Sequence, residues 1–495
     1  MDDVGLLALC TGLLLPWMGG TFWLMYLESN FKSDAPPNRF RQVGYGFFLG
    51  YAILFLAVIS SNKLTGVVHW PGLMLFLVFF ALGGGVLAWR DRDQTGSLTQ
   101  AARNTLGSSE KLLMAIVLAL MSVHIVFFGV EILTQEVYPW DAWVSWVYRA
   151  KAWFSAGTLS AVVSSSDWMT ASTADIYTIQ AWLYPLFPSV IPYWAALSQG
   201  EWSETLVNLP VLLAGMAIGM ALYGQCRETG CSVMYSLITC YLLFSIPLFG
   251  THLALAGYAD IWMAGYVGLG FIALIQGVLK QNTAGNSRIQ LVIGFSMITF
   301  SILVKNEGAV WLLATVAMVI LATWKPRNII ILLVTIFLLI LLSISLGIYY
   351  IDIPLLGRLG VIDERLAIPF IGEFKLQFHD VRKVYWNNFF TMGSWNLLWP
   401  IVIAALLVGL RSIFTMPDDR TGRTAVSFIL IFVATQVFIF GFTNQGIWAD
   451  TYTAVNRLPL HFVPALLFIV AVIAKTSMKQ RNLEETTKEP SSGKA

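Results

Sequence analysis

The sequence predicts an all-α polytopic membrane protein, and three observations support this fold class. The 495 residues are 57% hydrophobic and 12% charged, about half the charged fraction of a typical soluble domain. Apolar stretches of about 20 residues, long enough to cross a bilayer as helices, recur along the whole chain. Lysines and arginines concentrate in every second loop, as in the cytoplasmic loops of membrane proteins. Open β-sheets are excluded from lipid because their edge amides would lack hydrogen-bonding partners.

We predict about thirteen membrane-spanning helices, each placed on one apolar stretch. Their ranges are 4–27, 42–60, 70–89, 111–133, 205–225, 231–250, 258–280, 289–304, 308–323, 328–350, 397–411, 424–442 and 458–474. The first range is preceded by Asp2 and Asp3 and lacks a small-residue cleavage site. We therefore interpret it as a retained helix rather than a signal peptide.

The chain divides into three predicted parts. Residues 1–110 hold three N-terminal helices, residues 111–475 form the main membrane domain, and residues 476–495 form a polar tail that we expect to be disordered. The basic loops face the cytoplasm if the N-terminus lies outside and the C-terminus inside. The two long polar segments, 134–204 and 351–396, then both lie outside.

The first external segment contains an apolar stretch, 176–197, that is interrupted by Pro185, Pro188 and Pro192. If this stretch crossed the bilayer, all later basic loops would face outward, against the usual charge asymmetry. We therefore predict a re-entrant or surface-lying element there.

The same segment begins with a carboxylate and a tryptophan-rich basic stretch. From Ala142 to Ala156 the tryptophans fall at helical spacing, with Arg149 and Lys151 turned away, which predicts an amphipathic helix at the bilayer surface. A helix that only anchors the chain would show the same pattern. Asp141, at the mouth of the preceding span, is either a helix cap or a group that takes part in chemistry.

Further polar islands lie at predicted outer ends of spans. Asp260 closes a Gly-Tyr-Ala-Asp sequence, Lys305 and Glu307 share a tight turn, and Arg457 lies in the last outer loop. Plain loop polarity, or mutual neutralisation of Lys305 and Glu307, would also explain them. Because these islands are all predicted on one face, we expect them to converge on a single site with Asp141.

The second external segment carries several cations, among them Arg358, Arg365 and Arg382. Arginine can grip a phosphate through two parallel hydrogen bonds, so this composition suits a phosphate headgroup at the membrane surface. A solvated loop of mixed charge is the alternative interpretation.

Several chemistries have no support in the sequence. There is no phosphate-binding Gly-rich loop, nucleophile elbow, HExxH or CxxC motif, so we expect no nucleotide cofactor. The four cysteines show neither metal spacing nor a disulfide framework. A net charge of +2 gives no reason to expect a nucleic-acid partner.

Taken in order, these pieces resemble the GT-C superfamily of polytopic glycosyltransferases, of the bacterial kind similar to the aminoarabinose transferase and protein O-mannosyltransferases. The resemblance covers roughly residues 111–475. It rests on Asp141-Ala142-Trp143, Arg149-Ala150-Lys151, Tyr184-Pro185-Leu186-Phe187-Pro188, Gly257-Tyr258-Ala259-Asp260 and Lys305-Asn306-Glu307-Gly308. Relatives often carry His or Lys beside the first proline, where this chain has Ala181-Trp182-Leu183.

The resemblance implies an enzyme that moves a sugar, with inversion, from a polyprenyl-monophosphate carrier to an acceptor outside the cytoplasm. Asp141 would accept the acceptor's proton, and cations would stabilise the departing phosphate. The implied donor-binding residues are Arg149, Lys151, Tyr184, Asp260, Lys305, Glu307, Arg358, Arg365, Arg382 and Arg457. No cofactor is expected, although Asp141, Asp260 and Glu307 could in principle assemble a divalent metal site.

The expected partners are the polyprenyl-phosphate-linked sugar, a glycan, lipid or protein acceptor, and the lipid bilayer, with the bacterial inner membrane as the location. A transporter or flippase for a lipid-linked or small substrate is the alternative function. It would need polar groups at the midplane and broken helices in paired halves, whereas the polar groups here gather at outer ends. A non-catalytic scaffold would leave the external charges unexplained.

Overall fold

The structure is a computed structural model that describes residues 3–31, 38–90, 107–173, 176–280, 284–354, 357–369, 371–415 and 420–488. Within these ranges, ten helices are long and apolar enough to cross a membrane, and one bent helix pair raises the number to eleven. The prediction of a polytopic, mainly helical integral membrane protein is therefore confirmed. The count of about thirteen spans stays a prediction.

The first four helices are long, and each coincides with a predicted span: α1 (Asp3–Ser29), α2 (Arg39–Thr65), α3 (Trp70–Arg90) and α4 (Ser108–Thr134). α2 begins after Asn38, whose side chain accepts a hydrogen bond from the Phe40 N–H. Further along α2, the buried Tyr45 hydroxyl donates to the Leu269 carbonyl at 2.7 Å. α2 therefore lies inside the same bundle as the later helices rather than in a separate unit.

The first predicted external segment folds into short elements: a π-helical turn (Ala142–Trp146), α5 (Val147–Ala156), β1 (Val162–Val163), α6 (Ser165–Thr170), β2 (Tyr177–Thr178) and α7 (Phe187–Gln199). β1 and β2 pair in parallel. α7 is about 20 Å long, too short to cross a hydrocarbon core of about 30 Å. Its residues are almost all buried, and Trp194 donates to the Gly12 carbonyl of α1 at 2.9 Å. The predicted re-entrant or surface-lying element is thus a short helix buried in the bundle.

Eight helices follow: α8 (Leu209–Glu228), α9 (Val233–Ser245), α10 (Pro247–Ala254), α11 (Asp260–Met263), α12 (Gly270–Leu279), α13 (Ala284–Ser301), α14 (Glu307–Thr323) and α15 (Pro326–Ser345). α9 and α10 meet at a bend of 64°. The bend lies at Pro247, which forces the preceding Ile246 into an extended conformation. The π-helical segment Ala264–Leu269 joins α11 to α12, so residues 260–279 form one continuous buried helix.

The second predicted external segment forms an antiparallel sheet of four strands: β3 (Tyr350–Ile353), β4 (Gly357–Ile362), β5 (Arg365–Ile368) and β6 (Gly372–Lys375). The all-α prediction did not include this sheet. Its central hairpin turns at Asp363 and Glu364, both with positive φ, which is the geometry of a tight two-residue turn. The turn lacks the glycine that usually marks such hairpins, and the strands are short.

The remaining elements are α16 (Arg382–Trp386), a π-helical segment (Asn387–Thr391), α17 (Leu398–Thr415), α18 (Arg420–Phe442), α19 (Gly446–Asp450), α20 (Arg457–Leu460) and α21 (Val463–Lys488). α21 continues as a helix through residues 476–488, where we predicted a disordered tail. This stretch holds no proline or glycine to end the helix. Residues 489–495 lie outside the described part of the chain.

A buried ionic group, which we call the Arg41 cluster, joins the N-terminal helices to the rest of the bundle. Arg41 donates to both carboxylate oxygens of Glu28 at 2.6 and 2.7 Å, and to Glu228 at 2.6 Å. Gln42 donates to Glu28 at 2.8 Å, and Lys280 approaches Glu228 at 3.8 Å. Lys280 directly follows the 260–279 helix, so this cluster lies at the end of that helix opposite Asp260.

Candidate active site

The candidate site is built around the fully buried carboxylate of Asp260. One oxygen accepts from Lys305 Nζ at 3.2 Å and lies 3.1 Å from His461 Nε2. The other accepts from Arg457 Nε at 3.0 Å and Nη2 at 2.8 Å. Burying a charge is costly unless it is paired and hydrogen-bonded, and these contacts supply both conditions.

Arg457 extends this group to a second carboxylate, that of Asp141. Its Nη1 lies 2.6 Å from Asp141 Oδ2, while Nε and Nη2 remain on Asp260. The guanidinium also lies over the Tyr258 ring at 4.7 Å, which favours a cation. The Asp141 side chain is 33% exposed and that of Asp260 is 0% exposed. One arginine therefore connects a buried acid to an accessible one.

Glu307 completes what we call the Asp260 cluster, which comprises Asp141, Asp260, Lys305, Glu307, Arg457 and His461. Glu307 Oε1 lies 3.4 Å from Lys305 Nζ, and its Oε2 is buried without a hydrogen-bond partner in the described chain. Burial disfavours the Lys305 ammonium, but the charges of Asp260 and Glu307 outweigh burial and raise the pKa of Lys305. Glu307 and burial together raise the pKa of Tyr184 to about 12.

Local backbone geometry explains how residues distant in sequence meet here. Gly257 has φ of +99°, and a Cβ at this position would lie 2.6 Å from Ala142 Cβ. The Gly257 loop can therefore pack against the turn that follows Asp141, bringing Asp141 close to Asp260. A Cβ on Gly308 would lie 2.4 Å from the main chain of residue 301, so glycine also permits the tight turn that carries Lys305.

Helical positions add to this arrangement. Asp260 is the first residue of α11, where unpaired backbone N–H groups favour a negative charge. Asp141 directly precedes a π-helical turn, and a second π-helical segment follows α11. Such segments are rare and frequently occur at functional sites. Arg457 and His461 are four residues apart on one helical turn, so both side chains reach the same carboxylate.

Arg149 occupies a different position from the one predicted. The sequence pattern turned it away from the tryptophan face, but the structure buries it, because it donates to the carbonyls of Ala181, Tyr184 and Pro185 at 3.0–3.4 Å. Three backbone carbonyls in one irregular stretch need hydrogen-bond donors, and the guanidinium group supplies several N–H donors in one plane. Burial lowers the pKa of Arg149 to about 10. Arg149 thus supports the main chain around Tyr184.

The helix that carries Arg149 also differs from a simple amphipathic helix. Trp146 and Trp153 are buried within the protein, whereas Trp143 is exposed. The π-helical turn over Ala142–Trp146 changes the angular spacing from that of an α-helix, so the tryptophans do not share one face. Lys151 is exposed and pairs with Glu204 at 2.5 Å, away from the contacts of the Asp260 cluster.

The three cations of the second predicted external segment lie on the solvent-exposed sheet and the residues after it. Each has a nearby acid: Arg358 pairs with Asp352 at 3.1 Å, Arg365 with Glu373 at 4.0 Å and Arg382 with Asp380 at 2.7 Å. In the described chain, no hydrogen bond or ion pair joins them to the Asp260 cluster. Their predicted role in donor binding stays a prediction.

Four residues in or beside the cluster were not among the predicted site residues: His461, Trp311, Tyr258 and His252, whose Nδ1 lies 3.6 Å from Asp260 Oδ2. The spacing of Arg457 and His461 by one helical turn was the available sequence signal. Trp311 gave no signal, because a tryptophan inside an apolar helix is typical of a membrane span. Among the described residues, no group of three or more His, Cys, Asp or Glu side chains is arranged to hold a metal ion.

No family model matches the chain, and no curated protein or solved structure is significantly similar to it. The resemblance to GT-C glycosyltransferases therefore rests on the sequence pieces quoted above. The described helices establish an integral membrane protein in a lipid environment.

Proposed function

We propose that this protein is an inverting glycosyltransferase that uses a polyprenyl-monophosphate-linked sugar. The observation that carries the proposal is the accessible Asp141 carboxylate, held by Arg457 against a buried Asp260. This arrangement offers a candidate base and candidate phosphate-binding cations within one group of contacts. The resemblance adds the donor class and the extracytoplasmic face.

In this reaction, the acceptor oxygen or nitrogen forms a bond to C1 of the sugar while the bond between C1 and the phosphate oxygen breaks. Asp141 takes the acceptor's proton, which requires a carboxylate within hydrogen-bond reach. The electron pair of the broken bond leaves with the polyprenyl phosphate. Lys305 and Arg457 face the developing negative charge, and stabilising that charge lowers the barrier.

The structure favours these two cations over the other candidates. Lys305 and Arg457 are fixed by buried partners, and a cation in a dry, preorganised site stabilises charge better than one in water. Arg358, Arg365 and Arg382 are solvent-exposed and already lie beside acids.

Charge balance suggests an order of events. The Asp260 cluster holds three acidic and two basic side chains, a net charge of −1 when its histidine is neutral. An anionic donor is repelled unless a cation is freed. Arg457 can exchange Asp141 for the donor phosphate while it stays anchored to Asp260. The exchange frees the Asp141 oxygen that faced Arg457 to accept the acceptor's proton.

Asp141→Asn tests the proposal, because the amide keeps the shape of the side chain and removes its basicity. We expect transfer to fall by about 10²–10⁴-fold, the usual contribution of a general base, with unchanged expression and membrane insertion. Envelope glycans of a deletion strain complemented with wild type or variant, compared by mass spectrometry, give the readout. Asp167→Asn, an exposed acid in the same external segment, is the matched control.

Full glycan transfer by Asp141→Asn would show that Asp141 is not the catalytic base. Movement of a lipid-linked substrate across the membrane without any new glycan would instead support the transporter alternative.

Reporter fusions after residues 133 and 351 test the proposed topology, in which the N-terminus lies outside, the C-terminus is cytoplasmic and the protein spans a bacterial inner membrane. A cytoplasmic signal from either fusion contradicts a shared external site.

A further inference from the structure

A chain of buried hydrogen bonds leads from Asp260 to a tryptophan inside α14. His461 is fully buried, with Nε2 3.1 Å from Asp260 Oδ1 and Nδ1 3.2 Å from Trp311 Nε1. Trp311 is also fully buried, and its ring lies nearly perpendicular to the imidazole. Neither side chain reaches the accessible part of the site.

The partners of His461 determine its protonation. The indole N–H of Trp311 can only donate, so Nδ1 of His461 must accept and carries no proton. The proton of the neutral imidazole therefore resides on Nε2, where it is donated to the Asp260 carboxylate. Along this hydrogen-bond chain from Trp311 to Asp260, each atom can therefore act only as a donor or only as an acceptor.

We propose that His461 and Trp311 are positioning residues that fix the orientation of the Asp260 carboxylate. Through Asp260 they hold the two cations, Lys305 and Arg457, in place for an isoprenyl phosphate. His461 and Lys305 both hydrogen-bond to Oδ1 of Asp260, whereas Arg457 hydrogen-bonds to Oδ2. Rotation of the carboxylate would therefore disturb the contacts of both cations. The phosphate assignment rests on the proposed function.

The surroundings favour a neutral imidazole. The charged or titratable groups around it are Asp260, Lys305, Glu307, Arg457 and His252. His461 is fully buried, and burial disfavours a charged imidazole unless its charge is fully compensated. A protonated His461 would also turn an Nδ1–H toward the Trp311 N–H, which places two donors face to face. Acid should therefore disrupt this arrangement.

The first test measures binding of farnesyl monophosphate to the purified full-length protein. His461→Phe removes the donor to Asp260, and we expect binding to weaken by about 10–100-fold because the cations lose their orientation. His461→Gln keeps an N–H near the position of Nε2 and should restore binding to within about 5-fold of wild type. Trp311→Phe should have an intermediate effect. His69→Gln, at an exposed histidine outside the cluster, is the control.

The second test needs no ligand and separates this inference from the proposed function. The unfolding temperature of wild type should fall between pH 7 and pH 5, because the unfolded histidine binds a proton that the folded one resists. This fall should be smaller in His461→Gln and unchanged in His69→Gln. Equal pH dependence in wild type and His461→Gln, or full phosphate binding by His461→Phe, would overturn the inference. Absence of phosphate binding in wild type would count against the proposed function alone.

Discussion

The Arg41 cluster and the Asp260 cluster use the same chemistry at opposite ends of one buried helix. In each, an arginine lies between two carboxylates: Arg41 between Glu28 and Glu228, and Arg457 between Asp141 and Asp260. They differ in access. Glu28 and Glu228 are 3% and 8% exposed, whereas Asp141 is 33% exposed.

The contrast in exposure separates a structural ion pair from a reactive one. A sealed pair can only stabilise or specify the packing of helices. A pair with one accessible acid can exchange partners with a substrate, provided that the arginine stays anchored elsewhere. Asp260 supplies that anchor for Arg457. The pairing pattern alone would have marked both clusters, and exposure distinguishes them.

Arg41→Met tests whether the Arg41 cluster is purely structural, and we expect the largest effect from this substitution. Removal of Arg41 leaves two buried carboxylates without their partner, so we expect a loss of about 3–5 kcal/mol in the free energy of unfolding. Thermal or denaturant unfolding in detergent measures it. A triple variant with Arg41→Met, Glu28→Leu and Glu228→Leu should recover most of this stability and keep transfer activity. Loss of transfer in a stable triple variant would show that the Arg41 cluster is more than structural.

Arg149→Leu tests a cation that the sequence predicted to bind the donor. In the structure Arg149 instead hydrogen-bonds to the main chain around Tyr184. Three carbonyls lose their donor, and we expect a destabilisation of about 2–3 kcal/mol. Because Tyr184 lies on the released stretch, donor affinity should also weaken. Donor affinity lost without any change in stability would instead mean that Arg149 contacts the donor directly.

Arg358→Gln should have the smallest effect. An exposed substitution away from special features usually changes stability by less than about 0.5 kcal/mol. We expect unchanged unfolding and glycan transfer within about 2-fold of wild type, because exposed ion pairs contribute little. A large loss of glycan transfer would instead show that the exposed sheet takes part in donor binding, so that the accessible part of the site extends beyond Asp141.

The sequence predicted the helices well because bilayer thickness sets a simple requirement on apolar length. Each long described helix from α1 to α4 coincides with a predicted span. The β3–β6 sheet was missed because its strands are short and its central turn uses Asp363 and Glu364 in place of glycine. Residue spacing along one chain carries little information about such a small sheet.

The site was predicted in part. Five predicted site residues meet, as expected from their predicted placement on one face of the membrane: Asp141, Asp260, Lys305, Glu307 and Arg457. Arg149 was placed on the wrong face: it lies three residues after Trp146 and four before Trp153, so helical spacing puts it beside both buried tryptophans. Tertiary packing determines which backbone carbonyls lack a hydrogen-bond donor and which acid is buried. A single sequence does not reveal that packing.

The helix over residues 260–279 works as a spacer of fixed length between the two arginine pairs. An α-helix advances about 1.5 Å and rotates about 100° with every residue. One added residue would therefore swing Asp260 away from Arg457 as long as Lys280 stayed beside Glu228. Homologous chains that keep both pairs should accordingly conserve the number of residues between positions 260 and 280, while the adjoining loops vary freely in length.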